Sequence, residues 1–320
     1  MAAPILGLAA RDALVVAVGL RGVIVRSDDG GASFTQVPGP VGVDLTNVVL
    51  VGQGRAFAVG HRGVVLRSDD DGRTWRVVLD GRRVRAQLGM EEKGEAERSE
   101  SQAAQSARRA DTWPLFAVHF SDANRGLVAG AFGLLMRTED GGETWHNAAD
   151  AMMDASDVHI YGLGSTESAL FLVGERGLLE RRPVGSPRFH PLASPYRGSW
   201  FGVAVRNEST LVYGMRGNAY LSSDGGESWQ SLDTGIQTGI VAGMLLGDAS
   251  PLLVSQSGVI LWGEDGKSTM QRLEAPALPY TSAAIATGRD GQRRLVLGAL
   301  SGLRVLTLPA RPNATPSKTS

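Results

Sequence analysis

The feature that most constrains the fold of this chain is an internal repeat of about forty residues. Five segments carry or approximate the pattern Ser/Thr-x-Asp-x-Gly-x-Ser/Thr-aromatic, which we call the box. Its aspartates are Asp29, Asp70, Asp140, Asp224 and Asp265. They are separated by 41, 70, 84 and 41 residues. Because the gap of 84 residues is two periods and the gap of 70 is one period plus an insertion, the repeat runs through the whole chain.

A second mark, Gly-x-x-Gly between two short apolar runs, precedes each box. Clear copies begin at Gly19, Gly60, Gly130, Gly174 and Gly214. The copy at Gly174 falls inside the 84-residue gap, where the box has decayed. Weaker copies at residues 255–258 and 299–302 bring the repeats to seven.

Each repeat predicts four short strands separated by Gly and Asp turns. In the second repeat these strands are expected at residues 45–50, 55–59, 64–67 and 74–79. A period near forty with four strands per unit is typical of a propeller blade. The sequence therefore predicts an all-β fold, a seven-bladed β-propeller formed by residues 1–308. The polar, Pro-rich residues 309–320 are expected to form a disordered tail.

Residues 81–112 interrupt the period between blades 2 and 3. The segment is rich in Glu, Ala, Gln and Arg, and it has no β-branched residue between Val84 and Thr112. We therefore expect a helical or disordered insertion. A mobile surface loop and a partner-binding arm are both compatible with this composition.

Composition excludes several classes of function. A net charge of −1 argues against a general nucleic-acid binder. The absence of cysteine rules out disulfides and thiolate metal sites and fits either redox compartment. No apolar run approaches the roughly 20 residues needed to span a bilayer. The acidic turn at residues 69–72 lacks the ligand spacing of a calcium loop, so neither a metal nor a cofactor is expected.

Strand alternation places the Gly-x-x-Gly turns and the blade-to-blade connections on one face of the disc, opposite the boxes. Arginine occupies the same position in four of these turns: Arg21, Arg62, Arg176 and Arg216. One connection on that face carries Tyr196, Arg197 and Trp200. Arginines beside aromatic residues suit the recognition of carboxylates or a peptide. Arginines in exposed turns also serve solubility, so both interpretations stay open.

The boxes beside Gly-x-x-Gly resemble the sialidase-type BNR/Asp-box propellers. They resemble still more closely the photosystem II stability/assembly-factor-like propellers and their bacterial relatives. The motifs that carry the resemblance are Gly60-x-x-Gly63 with Ser68-x-Asp70-x-Gly72-x-Thr74-Trp75, and their counterparts at residues 130–145 and 214–229. The insertion is similar to that of the bacterial, non-photosynthetic branch, some members of which look linked to RND-type exporters.

The resemblance implies a non-catalytic assembly scaffold whose four turn arginines form a partner-binding surface. The implied partner is a segment of a membrane-protein complex, and the implied location is periplasmic or otherwise extracytoplasmic. Residues 1–10 lack the basic and apolar regions of a signal peptide. No leader is therefore expected in this chain, and a cytoplasmic location stays open. We also expect a monomer that binds no nucleic acid.

Two alternative functions involve the hydrolysis or the binding of sugars. A sialidase needs three arginines, a Tyr/Glu nucleophile pair and an Asp acid/base, and none of the five tyrosines has a convincing Glu neighbour in the sequence. A carbohydrate-binding propeller without catalysis would use Trp200 and Tyr196 as stacking platforms. His119 and His159 fall in or beside inner strands, where core or channel positions are expected.

Overall fold

Seven antiparallel sheets form the described part of the chain, which confirms the seven-bladed β-propeller. A computed structural model describes residues 3–89, 113–153, 157–247, 249–264 and 266–308. Six of the sheets have four strands in sequence order, and the sheet of blade 7 has three. The inner strands of successive blades lie side by side and surround a central channel.

The strands of each blade run outward from the channel in chain order. Blades 1 and 2 contain β1 (Ile5–Arg11), β2 (Leu14–Gly19), β3 (Ile24–Ser27), β4 (Thr35–Val37), β5 (Leu45–Val51), β6 (Arg55–Gly60), β7 (Val65–Ser68) and β8 (Arg76–Leu79). Blades 3 and 4 contain β9 (Leu115–Phe120), β10 (Gly126–Gly130), β11 (Leu135–Thr138), β12 (His146–Asn147), β13 (Ile160–Ser165), β14 (Ala169–Gly174), β15 (Leu179–Pro183) and β16 (His190–Pro191).

Blades 5 and 6 contain β17 (Trp200–Arg206), β18 (Ser209–Gly214), β19 (Ala219–Ser222), β20 (Gln230–Ser231), β21 (Ile240–Leu245), β22 (Pro251–Ser255), β23 (Ile260–Gly263) and β24 (Met270–Leu273). Blade 7 contains β25 (Tyr280–Thr287), β26 (Arg293–Ala299) and β27 (Gly302–Thr307). Short 3-10 helices lie at Leu20–Gly22, His61–Gly63, Ala131–Gly133, Ala149–Ala151, Glu175–Gly177 and Met215–Gly217. The strands expected in blade 2 are confirmed to within two residues at each end.

The second strand of each blade is deeply buried. In blade 1, the run from Val15 to Val18 is fully buried. Both faces of such a strand are covered, because neighbouring blades pack face to face. This double burial explains why these strands read as continuous apolar runs rather than as alternating patterns.

The box aromatics pack between blades. Trp75 joins a core cluster with Val16 of the preceding blade. Trp145 meets Phe57 of the preceding blade edge to face, with ring centroids 6.5 Å apart. Blade 4 has lost its box, yet β15 and β16 still pair. The aromatic residue of the box therefore packs between neighbouring blades. The box is not required for the third and fourth strands of a blade to pair.

The ring closes between blades 7 and 1 through contacts of their inner strands. The Thr281 hydroxyl donates to the carbonyl oxygen of Ile5 at 2.6 Å, and the Thr287 N–H donates to that of Asp12 at 2.7 Å. Arg294 also reaches the carbonyl oxygen of Asp29, at 3.4 Å. Side-chain and backbone hydrogen bonds thus hold the first and last blades together.

The insertion begins with helix α1 (Gly81–Gln87). The Asp80 carboxylate caps this helix by accepting a hydrogen bond from the Arg83 N–H at 2.9 Å. Val84 is fully buried, and it faces Gly63 in the turn of blade 2. The helical expectation is confirmed for this segment, while residues 90–112 and the expected tail at 309–320 lie outside the described residues.

Candidate functional site

The Gly-x-x-Gly turns have one backbone geometry, which explains both glycines. A Cβ on the first glycine, as at Gly60, would lie 2.2 Å from the carbonyl oxygen of Asp44, which precedes the inner strand. The second glycine has a positive φ, and at Gly217 a Cβ would lie 2.1 Å from the carbonyl oxygen of Ile236. The turn is therefore clamped between its own inner strand and the connection to the next blade.

The residue before the second glycine lies in the left-handed region, and it is arginine in four blades. The φ angles are 56°, 59°, 56° and 57° at Arg21, Arg62, Arg176 and Arg216. All four side chains are exposed. Among the described residues, none of the four guanidinium groups has a hydrogen-bond or ion-pair partner. We call this side of the disc, with the blade-to-blade connections, the turn face.

Other exposed groups extend the turn face. Helix α1 brings Arg82 and Arg83 beside the turn of Arg62, with both side chains exposed. Arg197 is exposed next to Gly177, in the turn of Arg176. In the equivalent turns, Phe132 is 42% exposed and Met215 is 38% exposed. Arginines and apolar side chains therefore share this face, and the arginines of α1 were not singled out by sequence reasoning.

Trp200 is not part of this surface, which corrects the expectation that it contacts a partner. Its side chain is fully buried, and its indole N–H donates to the Ser194 hydroxyl at 3.0 Å. Tyr196 packs edge-on against the Trp200 ring, with centroids 5.5 Å apart. These two residues pack together in the connection between blades 4 and 5, and the buried Trp200 ring offers no stacking surface to a sugar.

The mouth of the central channel lies on the turn face and has a regular construction. In every inner strand the second residue is skipped by the strand pairing and forms a β-bulge. The seven bulged residues are Leu6, Thr46, Phe116, Tyr161, Phe201, Val241 and Thr281. All seven line the channel, which encloses about 370 Å³. We call them the bulge ring.

One tyrosine of the bulge ring has a carboxylate neighbour that sequence reasoning missed. The Tyr161 hydroxyl donates to Glu175 Oε1 at 3.2 Å, and the His159 N–H donates to Glu175 Oε2 at 3.0 Å. Burial and the negative charge of Glu175 raise the pKa of Tyr161 to about 12. This phenol is therefore less easily ionised than a free tyrosine, which opposes a role as nucleophile.

The opposite side of the disc carries the box turns, and we call it the box face. The aspartates of these turns accept hydrogen bonds from groups of the same turn. Asp140 accepts hydrogen bonds from the N–H groups of Glu143 and Thr144, at 3.0 and 2.9 Å, and from the Thr138 hydroxyl at 2.8 Å. Asp29, Asp70 and Asp224 accept equivalent bonds within their own turns. Asp265 lies outside the described residues. The described box carboxylates are thus engaged in shaping turns.

Neither metal ligation nor membrane spanning is evident in the part of the chain that the structure describes. No group of three or more His, Asp or Glu side chains there is arranged to hold a metal ion. No described helix is long and apolar enough to cross a membrane.

Comparison with known proteins gives one curated relative. No family model matches the chain. The photosystem II assembly lipoprotein Ycf48 of Synechococcus sp. (strain CC9902) is 25% identical over 121 residues, which cover 36% of this chain and 35% of that protein. The chain therefore matches about a third of the length of this relative.

Solved structures are similar over nearly the whole chain. YCF48 bound to a D1 peptide has a TM-score of 0.66 at 15% identity, covering 97% of this chain and 94% of that one. YCF48 from Cyanidioschyzon merolae has a TM-score of 0.62 at 15% identity, covering 95% of each chain. The WD40 β-propeller domain of Doa1 has a TM-score of 0.68 at 10% identity, covering 97% and 94%. Because propellers with different names fit equally well, the comparisons show that this chain is similar to them in its β-propeller fold.

Proposed function

We propose that this protein is a non-catalytic binding propeller that holds an acidic segment of a membrane-protein complex on its turn face during assembly. The observation that carries the proposal is a set of four exposed guanidinium groups that have no hydrogen-bond or ion-pair partner in the part of the chain that the structure describes: Arg21, Arg62, Arg176 and Arg216. Arginine binds carboxylates through paired, directional hydrogen bonds. Four of them at equivalent positions of one disc offer several anchor points to a single extended chain.

The names of two similar proteins support a function of this type. One is named an assembly lipoprotein of photosystem II, and a solved YCF48 structure is described as bound to a D1 peptide. We infer a comparable partner here, a segment of a membrane complex, and an extracytoplasmic location for the encounter. The proposal also takes residues 1–308 as one monomeric domain. The similarities found give no support to a link with RND-type exporters, and none is proposed.

A sialidase-like hydrolase is the weaker candidate. The pair of Tyr161 and Glu175 supplies one part of such a site, but a tyrosine whose pKa is raised to about 12 is a poor nucleophile. Release of fluorophore from a fluorogenic sialoside by the wild-type protein, and its loss in Tyr161→Phe, would support this candidate over ours.

The direct test is the binding of short fluorescein-labelled peptides that tile D1, supplemented by acidic peptides of unrelated sequence, measured by fluorescence anisotropy. The variant Arg62→Gln/Arg176→Gln/Arg216→Gln removes three turn-face charges. Arg188→Gln/Arg206→Gln/Arg289→Gln removes three exposed charges from the box face and is the matched control. We expect the first variant to weaken acidic-peptide binding by about tenfold or more, and the control to leave it unchanged. Equal weakening by both variants would show only a general charge effect.

A further inference from the structure

The bulge ring is aromatic on one side only. Phe116, Tyr161 and Phe201 come from the adjacent blades 3, 4 and 5, and their rings contact one another in sequence. The centroids of Phe116 and Tyr161 are 5.3 Å apart, and those of Tyr161 and Phe201 are 6.1 Å apart. The remaining members are threonine, leucine or valine. The channel mouth therefore has a continuous aromatic wall over three of its seven sectors.

This wall continues outward onto the turn face. The Phe132 ring meets the His159 ring edge to face at 4.9 Å, and His159 in turn lies 6.0 Å from Phe116. Phe132 occupies the turn position that carries arginine in four other blades. A path of aromatic rings thus leads from the exposed turn of blade 3 into the channel, with arginine turns on the blades to either side.

The polar groups behind the bulge ring are mostly satisfied. The hydroxyls of Thr46 and Thr281 donate to backbone oxygens of neighbouring inner strands at 2.6 Å. Ser282 also lines the channel, but its hydroxyl oxygen is buried against Gly298 of the second strand and is not accessible from the channel.

We propose that the channel mouth receives an aromatic side chain from the acidic segment held by the turn-face arginines. The aromatic wall packs the ring of this side chain. The volume of about 370 Å³ is within the range of small-ligand pockets. The inference rests on the proposed function, because the surrounding guanidinium groups are what select an acidic segment.

The test compares two fluorescein-labelled acidic peptides that differ only by Tyr or Ser at the central position. For the wild-type protein we expect the Tyr peptide to bind about tenfold more tightly. Val241→Trp, which fills the mouth, and Phe201→Ser, which opens the aromatic wall, should each bring the ratio close to one. The turn-face triple variant should weaken both peptides and keep the ratio. Unchanged thermal unfolding midpoints would show that the channel variants are folded.

The outcomes separate the two proposals. Measurable binding with a wild-type ratio near one overturns the channel proposal and leaves the arginine surface standing. If neither peptide binds, the arginine proposal fails, and free p-cresol decides the channel by saturation-transfer NMR. A p-cresol signal with the wild type that is lost in Val241→Trp supports the aromatic pocket, and no wild-type signal overturns it.

Discussion

At the scale of single residues, the box shows how one carboxylate can fix a turn. Asp140 accepts two backbone N–H groups and two hydroxyls from a stretch of seven residues. Burial alone would raise its pKa, but these hydrogen bonds lower the pKa to about 2, so the group stays ionised at neutral pH. The repeated aspartates therefore indicate the fold of the chain and do not indicate a catalytic activity.

Removing that carboxylate should cost measurable stability. We expect Asp140→Ala to lower the free energy of unfolding by about 2 kcal/mol, because several charge-assisted hydrogen bonds are lost. The neighbouring Glu139, with a side chain that is 68% exposed and paired with Arg137, is the control. Glu139→Ala should change stability by less than about 0.5 kcal/mol. Urea unfolding of both variants checks this, and equal losses would contradict the role assigned to the box.

Acid should destabilise the protein in two stages. Burial lowers the pKa of His119 to about 4 from its ordinary 6.5, so its stabilising contribution is complete above pH 6.5 and is lost as the pH falls toward 4. The pKa values of Asp29, Asp70 and Asp140 are lowered to about 2 from 3.8, so their contribution is lost between about pH 4 and 2.

The two stages can be separated by substitution. His119 lies 2.8 Å from the Ser165 hydroxyl, and His119→Gln keeps a hydrogen-bonding group there. This variant should flatten the dependence of unfolding free energy on pH between about 6.5 and 4 and leave the lower stage intact. The exposed His190→Gln is the control and should leave both stages in place. Urea titrations across this pH range make the comparison, and an unchanged upper stage in His119→Gln would refute the assignment.

One pair of neighbouring residues marks the limit of prediction from the sequence. Trp200 was expected on the surface, whereas the structure buries it and places Phe201 in the channel. Along a strand, a one-residue shift moves a side chain to the opposite side. The sequence placed Trp200 in a blade-to-blade connection, whereas the inner strand of blade 5 begins at this residue, and nothing in one blade reveals which residue bulges. The forty-residue spacing of Tyr161, Phe201, Val241 and Thr281 is the signal that could have shown it.

At the scale of elements, the Gly-x-x-Gly turn is the unit that positions the candidate site. Because its first glycine has no side chain, the backbone leading into the inner strand can approach closely. Its second glycine in the same way leaves space for the connection to the next blade. The intervening arginine is held at a positive φ and projects from the disc. Strand alternation predicted that the arginine turns and the insertion at residues 81–112 share this face. It did not predict the packing of α1 against the turn of blade 2, in which Val84 fills the space beside Gly63.

The close packing around this turn predicts different losses of stability when two glycines with similar φ angles are replaced by alanine. Gly217 has φ +75°, and a Cβ there would lie 2.1 Å from the Ile236 carbonyl oxygen. Gly235 has φ +61° with no atom within 4 Å of the Cβ position. We expect Gly235→Ala to cost about 1 kcal/mol from backbone strain alone, and Gly217→Ala to cost at least about 2 kcal/mol more because the connection must move. Similar unfolding free energies for the two variants would contradict the clamp.

At the scale of the whole molecule, fold and function were predictable to different degrees. The blade count follows from the repeat, because each box or Gly-x-x-Gly turn marks one blade even where its partner motif has decayed, as in blade 4. The proposed binding surface followed only in part: strand alternation predicted that the four arginine turns share a face, whereas the bulge ring, whose members are not of one residue type, was not predicted. The chemistry of the proposed partner is inferred from the turn-face guanidinium groups, which have no hydrogen-bond or ion-pair partner among the described residues.

The measurement that tests the central claim most directly is affinity capture from detergent-solubilised membranes of the source organism. The baits are the wild-type protein, Arg62→Gln/Arg176→Gln/Arg216→Gln, and the box-face control Arg188→Gln/Arg206→Gln/Arg289→Gln. We predict that the wild type and the control enrich the same membrane complex and that the turn-face variant does not, with equal thermal stability of all three. Enrichment of that complex by the turn-face variant would contradict the assignment of the binding surface to these arginines.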